Sequence, residues 1–170
     1  DEIVRKIRVA AAARTKLTKL KPATSIEPGP VPVKKKVLEG RLDKIVVIGT
    51  STGGPKALYE VIPKLPPTLP AGVLVVQHMP PGFTRSLADR LDTMSGLRVK
   101  EAEQGDEILP GCVYIAPGDY HLKVNQFSGS GKLGVNLTKD PPVAGHRPSV
   151  DAMFESVAKE FNSKIVAVVM

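Results

Sequence analysis

The feature that most constrains this chain is an apolar, largely β-branched run, Lys44-Ile45-Val46-Val47-Ile48-Gly49, that stops at a small-residue turn. Such a run reads as a buried strand, and the segment from Pro55 to Leu65 is compatible with a helix. The turn spells G-x-S-x-G from Gly49 through Ser51 to Gly53. On a strand-to-helix turn of that kind a serine stands above the carboxyl edge of a sheet, placed to act as a nucleophile. The glycines give the turn its backbone freedom, and the free N–H groups of the following helix start can stabilise an oxyanion. Two other readings share the same geometry. A turn of this composition can cradle a phosphate or nucleotide, although neither G-x-G-x-x-G nor G-x-x-x-x-G-K-[ST] is present, or it can be purely structural.

Further along, apolar strands alternate with helical segments. Gly72 to His78 is a second apolar strand, and Thr84 is placed to cap a helix reaching about Met94. Val99, Val113 to Ala116 and His121 to Asn125 read as short strands. A Gly/Ser-rich loop from Gln126 to Gly134 then leads to Val135–Thr138, as in a hairpin. Ser149 is placed to cap a helix to about Phe161 whose buried face carries Val150, Phe154, Val157 and Phe161, and Ile165 to Met170 is a last strand. This order predicts an α/β fold, a doubly wound, mainly parallel, Rossmann-like three-layer sheet with a small hairpin. Lys44–Gly49 and Gly72–His78 are expected to be neighbouring parallel strands, which brings His78 to the same edge as Ser51. An imidazole there can take the hydroxyl proton. His121, at a strand start, reads as structural; His146, before a helix start, is a weaker candidate for the cleft.

Charge separates the chain into two parts. Residues 1–40 hold ten Lys/Arg against four Asp/Glu, which leaves 14 basic and 13 acidic residues in 41–170. With the basicity in a tail and 4 % aromatics to stack on bases, nucleic-acid binding is not expected. No apolar stretch reaches the roughly 18 residues of a membrane span, so membrane insertion is not expected. The single cysteine, Cys112, fits a reducing cytoplasm and reads as a small buried hydrophobe. Residues 1–20 have a thin helical apolar face, and residues 21–40, with Pro22, Pro28, Pro30, Pro32 and Lys34 to Lys36, read as a semi-extended linker. The expected organisation is therefore a terminal helix of an upstream domain (1–20), a linker (21–40) and one globular domain (41–170).

Four ordered blocks carry a family resemblance: Ile48-Gly49-Thr50-Ser51-Thr52-Gly53-Gly54, Gln77-His78-Met79-Pro80-Pro81-Gly82-Phe83-Thr84, Tyr114-Ile115-Ala116-Pro117-Gly118-Asp119 and His146-Arg147-Pro148-Ser149-Val150-Asp151. From Lys44 to Met170 the chain resembles the catalytic domain of the chemotaxis protein-glutamate methylesterases. The resemblance implies hydrolysis of glutamate γ-methyl esters on the cytoplasmic helices of methyl-accepting chemoreceptors, with deamidation of receptor glutamines. It implies Ser51 as nucleophile and His78 as general base, with Thr52, Gly53 and His146 on the substrate or oxyanion side, and neither a metal nor a cofactor. It further implies that residues 1–20 end a receiver domain acting in cis, phosphorylated by a histidine kinase. In the family the triad acid lies in a glycine-rich segment directly after the strand matching Ile165–Met170. The acid is therefore expected beyond Met170, in a catalytic domain that is incomplete here, and neither Asp119 nor Asp151 inherits its role. The apolar side chains Ile165, Val166, Val168 and Val169 are expected to lack full cover.

Overall fold

The computed structural model describes residues 42–129 and 131–170, so the expected helix over 1–20 and linker over 21–40 lie outside the described residues. Within them the chain alternates strand and helix: β1 (Lys44–Thr50), α1 (Gly54–Val61) running into a 3₁₀ turn (Ile62–Lys64), β2 (Gly72–Gln77), α2 (Phe83–Met94), β3 (Arg98–Glu101) and β4 (Cys112–Ile115). There follow β5 (His121–Gln126), β6 (Leu133–Thr138), α3 (Val150–Glu160) and β7 (Lys164–Val169). Five strands form a sheet in the order β3-β4-β2-β1-β7, and every pairing in it is parallel. β5 and β6 form a separate antiparallel hairpin. The expected α/β architecture and the β1–β2 neighbourhood are both found, with Thr50 opposite Gln77 at the carboxyl ends.

The β-branched runs form this sheet because it is covered on both faces. Successive side chains of a strand point to opposite sides. Ile45 and Val47 of β1 join Leu74 and Val76 of β2 in a core shared with the hairpin and with Met153 and Val157 of α3. Ile48, Val73 and Val75 face the other way, against Leu58 of α1 and Leu87 and Leu91 of α2. Each such fully buried aliphatic side chain contributes about 1.5–3 kcal/mol. Cys112 is one of the buried apolar residues of the first core.

Two local expectations need correction. α2 starts two residues earlier than a Thr84 cap requires: its N-cap is Gly82, with φ 84°. Thr84 is instead fully buried, and its hydroxyl donates to Glu101 Oε1 at 2.6 Å while accepting the Gly118 N–H at 3.1 Å. On α3 the fully buried positions are Ala152, Met153 and Val157, whereas Val150 and Phe154 are only half-buried. The Ser149 cap is as expected, its hydroxyl accepting the Ala152 N–H. β7 pairs with β1 and is the edge strand, and its side chains are largely open, Val166 at 53 % and Val169 at 75 % exposure.

Candidate active site

Chemistry in an open α/β sheet collects at the carboxyl ends of strands, where the order of connections reverses. Here that point is the end of β1, which continues to β2 on one side and pairs with β7 on the other. Ser51 sits one residue past β1 and is exposed, with Thr52 and Gly53 beside it. His78 follows β2 and is half-buried. Parallel pairing in this register puts the two side by side, and His78 Nδ1 lies 3.1 Å from Ser51 Oγ.

The elbow depends on its two glycines for different reasons. Gly53 has φ 81°, a left-handed conformation that strains any residue with a Cβ. Gly54 is needed for space: a Cβ there would lie 1.8 Å from Gln77 Oε1 and 2.8 Å from Thr50 Cβ. The space is taken by a buried amide that sequence reasoning did not single out. Gln77 Nε2 donates to the carbonyls of Ser51 (3.1 Å) and His78 (3.3 Å), and its Oε1 accepts from Thr50 Oγ1 at 2.8 Å. One side chain thus ties the segment carrying Ser51 to the segment carrying His78. The only sequence signal for it is a second glycine, Gly54, where the turn itself asks for one.

For Nδ1 to accept the serine proton, the ring's own proton must sit on Nε2. Nε2 is shielded from solvent and has no hydrogen-bond partner among the described residues. The ring is also stacked on His146, with centroids 3.9 Å apart and planes 8° from parallel. Burial first, and the neighbouring His146 second, hold the His78 pKa below its usual 6.5, so the imidazole is neutral and able to accept a proton at neutral pH.

Beside His78 opens a cleft of about 340 Å³ lined by Met79, Pro80, Pro81, Asp119, Gly145, His146, Arg147 and Pro148. Asp119 is the carboxylate that lines this cleft, but Arg147 Nε and Nη2 both donate to its Oδ1, and Lys139 Nζ lies 3.6 Å from Oδ2. Those partners, the Arg147 hydrogen bond foremost, hold its carboxyl below the usual range. Asp151 is exposed in the first turn of α3, where it favours the helix N-terminus. Of the sequence-predicted residues the structure brings Ser51, His78 and His146 together and leaves Thr52 and Gly53 at the start of α1. No group of three or more His, Cys, Asp or Glu among the described residues forms a metal cluster.

A serine on a strand–elbow–helix turn, within hydrogen-bond reach of a histidine from the next strand, is the arrangement that serine hydrolases use on doubly wound sheets. The CheB methylesterase family model matches residues 46–170. A protein-glutamate methylesterase/protein-glutamine glutaminase 1 of Syntrophomonas wolfei is 52 % identical over all of this chain and 49 % of its own length. A protein-glutamate methylesterase/protein-glutamine glutaminase of Halalkalibacterium halodurans is 48 % identical over 99 % of the chain and 48 % of its own length. The crystal structure of the Thermotoga maritima CheB methylesterase catalytic domain superposes with a TM-score of 0.70 at 53 % identity, covering 74 % of this chain and 66 % of that one. The chain belongs to the CheB methylesterase family. It spans about half the length of the curated relatives it matches.

Proposed function

We propose that the protein hydrolyses γ-methyl esters of glutamate side chains on chemoreceptors, and deamidates receptor glutamines, through a Ser51 acyl-enzyme. The observation that carries this reading is the 3.1 Å contact between Ser51 Oγ and His78 Nδ1. A phosphate- or nucleotide-binding turn needs no base aimed at its serine. Ser51 Oγ attacks the ester carbonyl as His78 takes its proton, and the collapsing tetrahedral adduct expels methanol, which receives that proton back. Water, deprotonated in turn by His78, then cleaves the acyl-enzyme to free glutamate. With a glutamine the leaving group is ammonia. The Thr52 and Gly53 N–H groups, which make no backbone hydrogen bond among the described residues, serve as oxyanion donors.

Acceptance at Nδ1 leaves a shielded Nε2–H in need of an acceptor, and a buried donor without one costs about 1–3 kcal/mol. We assign that acceptor to a carboxylate outside the described residues. Such a group fixes the tautomer and steadies the imidazolium, and its loss commonly costs ~10⁴-fold in rate. Residues 1–20 and 21–40 are read as the end of a receiver domain and its tether, that domain being phosphorylated by a histidine kinase and regulating the activity in cis. This reading places the protein in the cytoplasm with the receptor helices; no helix among the described residues is long and apolar enough to cross a membrane. The test is to incubate the full-length protein with methylated receptor fragment and measure methanol. Release of methanol with equimolar new carboxylate is expected, and none above background overturns the assignment.

A further inference from the structure

We propose that His121 is a positioning residue for the general base, stapling both ends of the loop that lays His146 on His78. The proposal rests on the reading of Ser51 and His78 given above. His121 opens β5, is 0 % exposed and has no place in the proposed chemistry. Its two ring nitrogens are both used. The Ser149 N–H donates to Nδ1 at 3.2 Å, which puts the ring proton on Nε2, where it donates to the Pro141 carbonyl at 3.1 Å. Only the neutral ring with its proton on Nε2 satisfies both contacts. Pro141 and Ser149 bracket the segment that carries His146.

The rest of that segment is braced to match. Val143 and His146 exchange backbone hydrogen bonds of 3.1 and 3.0 Å, across Ala144 at φ 50° and Gly145 at φ 79°. That is a tight two-residue turn with both central residues left-handed, a stiff support for the His146 ring. Arg147 crosses the base of the loop, donating to the Lys139 and Asp140 carbonyls and to Asp119. Ser149 is at once the His121 partner and the N-cap of α3, so the staple anchors the loop to the helix.

This bracing matters at His78. Ser51 fixes one edge of its ring, Nε2 has no partner among the described residues, and the His146 ring lies flat on its face. The stack therefore holds the ring by its face, which neither Ser51 nor an acceptor at Nε2 reaches, and helps to set the plane in which Nδ1 points at Ser51. A misplacement of about 1 Å, even one caused far from the chemistry, can cost on the order of 10²-fold in rate. The charged or titratable groups around His78 are His146 on its face and Asp119 and Arg147 across the cleft. Around His121 the charged neighbour is Asp140, whose carboxyl is held down chiefly by Lys123.

The experiment follows the ring titration of His78 by NMR in the full-length protein, alongside kcat and KM, in His121→Leu, His121→Gln and His146→Ala. His121→Leu keeps bulk without hydrogen bonds, whereas Gln keeps a donor and an acceptor. In both His121→Leu and His146→Ala the His78 titration is expected to move upward, as the ring is uncovered and loses its histidine neighbour. With either substitution kcat is expected to fall roughly 10- to 100-fold at little-changed KM, and Gln is expected to recover most of the loss. A folded His121→Leu variant with His78 titration and kcat as in the parent overturns the proposal. If that variant does not fold, His146→Ala still decides, because His146 is exposed: an unmoved His78 titration there also overturns it. The titration needs no turnover, so failure of this inference is separable from failure of the Ser51 mechanism.

Discussion

Replacing Gly54 by alanine sets helix propensity against packing, and the structure says which wins. Gly54 is the first residue of α1, so propensity alone predicts a gain of up to about 1 kcal/mol on changing glycine to alanine. The new methyl, however, would sit 1.8 Å from Gln77 Oε1 and 2.8 Å from Thr50 Cβ, distances that force one of them to move. The Gln77 amide is the part that can move, and moving it breaks its bonds to the Ser51 and His78 carbonyls and to Thr50 Oγ1. Overpacking of this kind costs about 1–3 kcal/mol, and three net hydrogen bonds at about 0.5–1.5 kcal/mol each add to it. The expected net is a destabilisation of about 1.5–6.5 kcal/mol after the propensity gain. At about 2–4 °C per kcal/mol for a domain of this size, that lowers Tm by roughly 3–26 °C. The same displacement loosens the elbow relative to His78, so kcat on receptor ester is expected to drop by on the order of 10²-fold in the fraction that remains folded. Calorimetry with methanol release at 10 °C below the variant's Tm measures both. A Gly54→Ala protein as stable and as active as the parent would refute the reasoning.

Three further outcomes are expected. In the proposed mechanism the active form of His78 is the neutral one, and burial and the neighbouring His146 hold its pKa down; kcat/KM should therefore fall on the acid side, with an acid limb that moves upward in His146→Ala, and an unmoved limb contradicts that environment. Ser149→Ala removes the α3 cap and should cost about 1 kcal/mol, or roughly 2–4 °C in Tm, read by thermal denaturation. Gly53→Ala, at φ 81° with open space around its Cβ, should cost about 1–2 kcal/mol in denaturant melts through backbone strain alone, with less loss of kcat than Gly54→Ala.

The parts of this molecule legible in the sequence are those fixed by local pattern. Continuous apolar runs such as Ile45–Ile48 and Val73–Val76 signal strands covered on both faces, and alternation with helices fixes their parallel pairing. From that pairing the approach of Ser51 and His78 follows, because both close adjacent strands. What was not legible depends on contacts between distant segments. Gln77 reads as one more strand-end residue until the Thr50–Gln77 register and the missing Cβ of Gly54 give its amide somewhere to go. Thr84 has the identity of a cap, but Gly82 supplies the helix start, and its hydroxyl is taken by Glu101 and Gly118. His121 meets Ser149 only through the path of the loop between β6 and α3, 28 residues away in sequence.

The central claim is that Ser51 and His78 work as one unit. The most direct measurement is methanol release from methylated receptor by the full-length protein carrying Ser51→Ala, His78→Ala and both together. Each single variant is expected to lose on the order of 10⁴- to 10⁶-fold in kcat, with the double variant little slower than either. Full activity in Ser51→Ala, or losses that multiply in the double variant, would contradict the account.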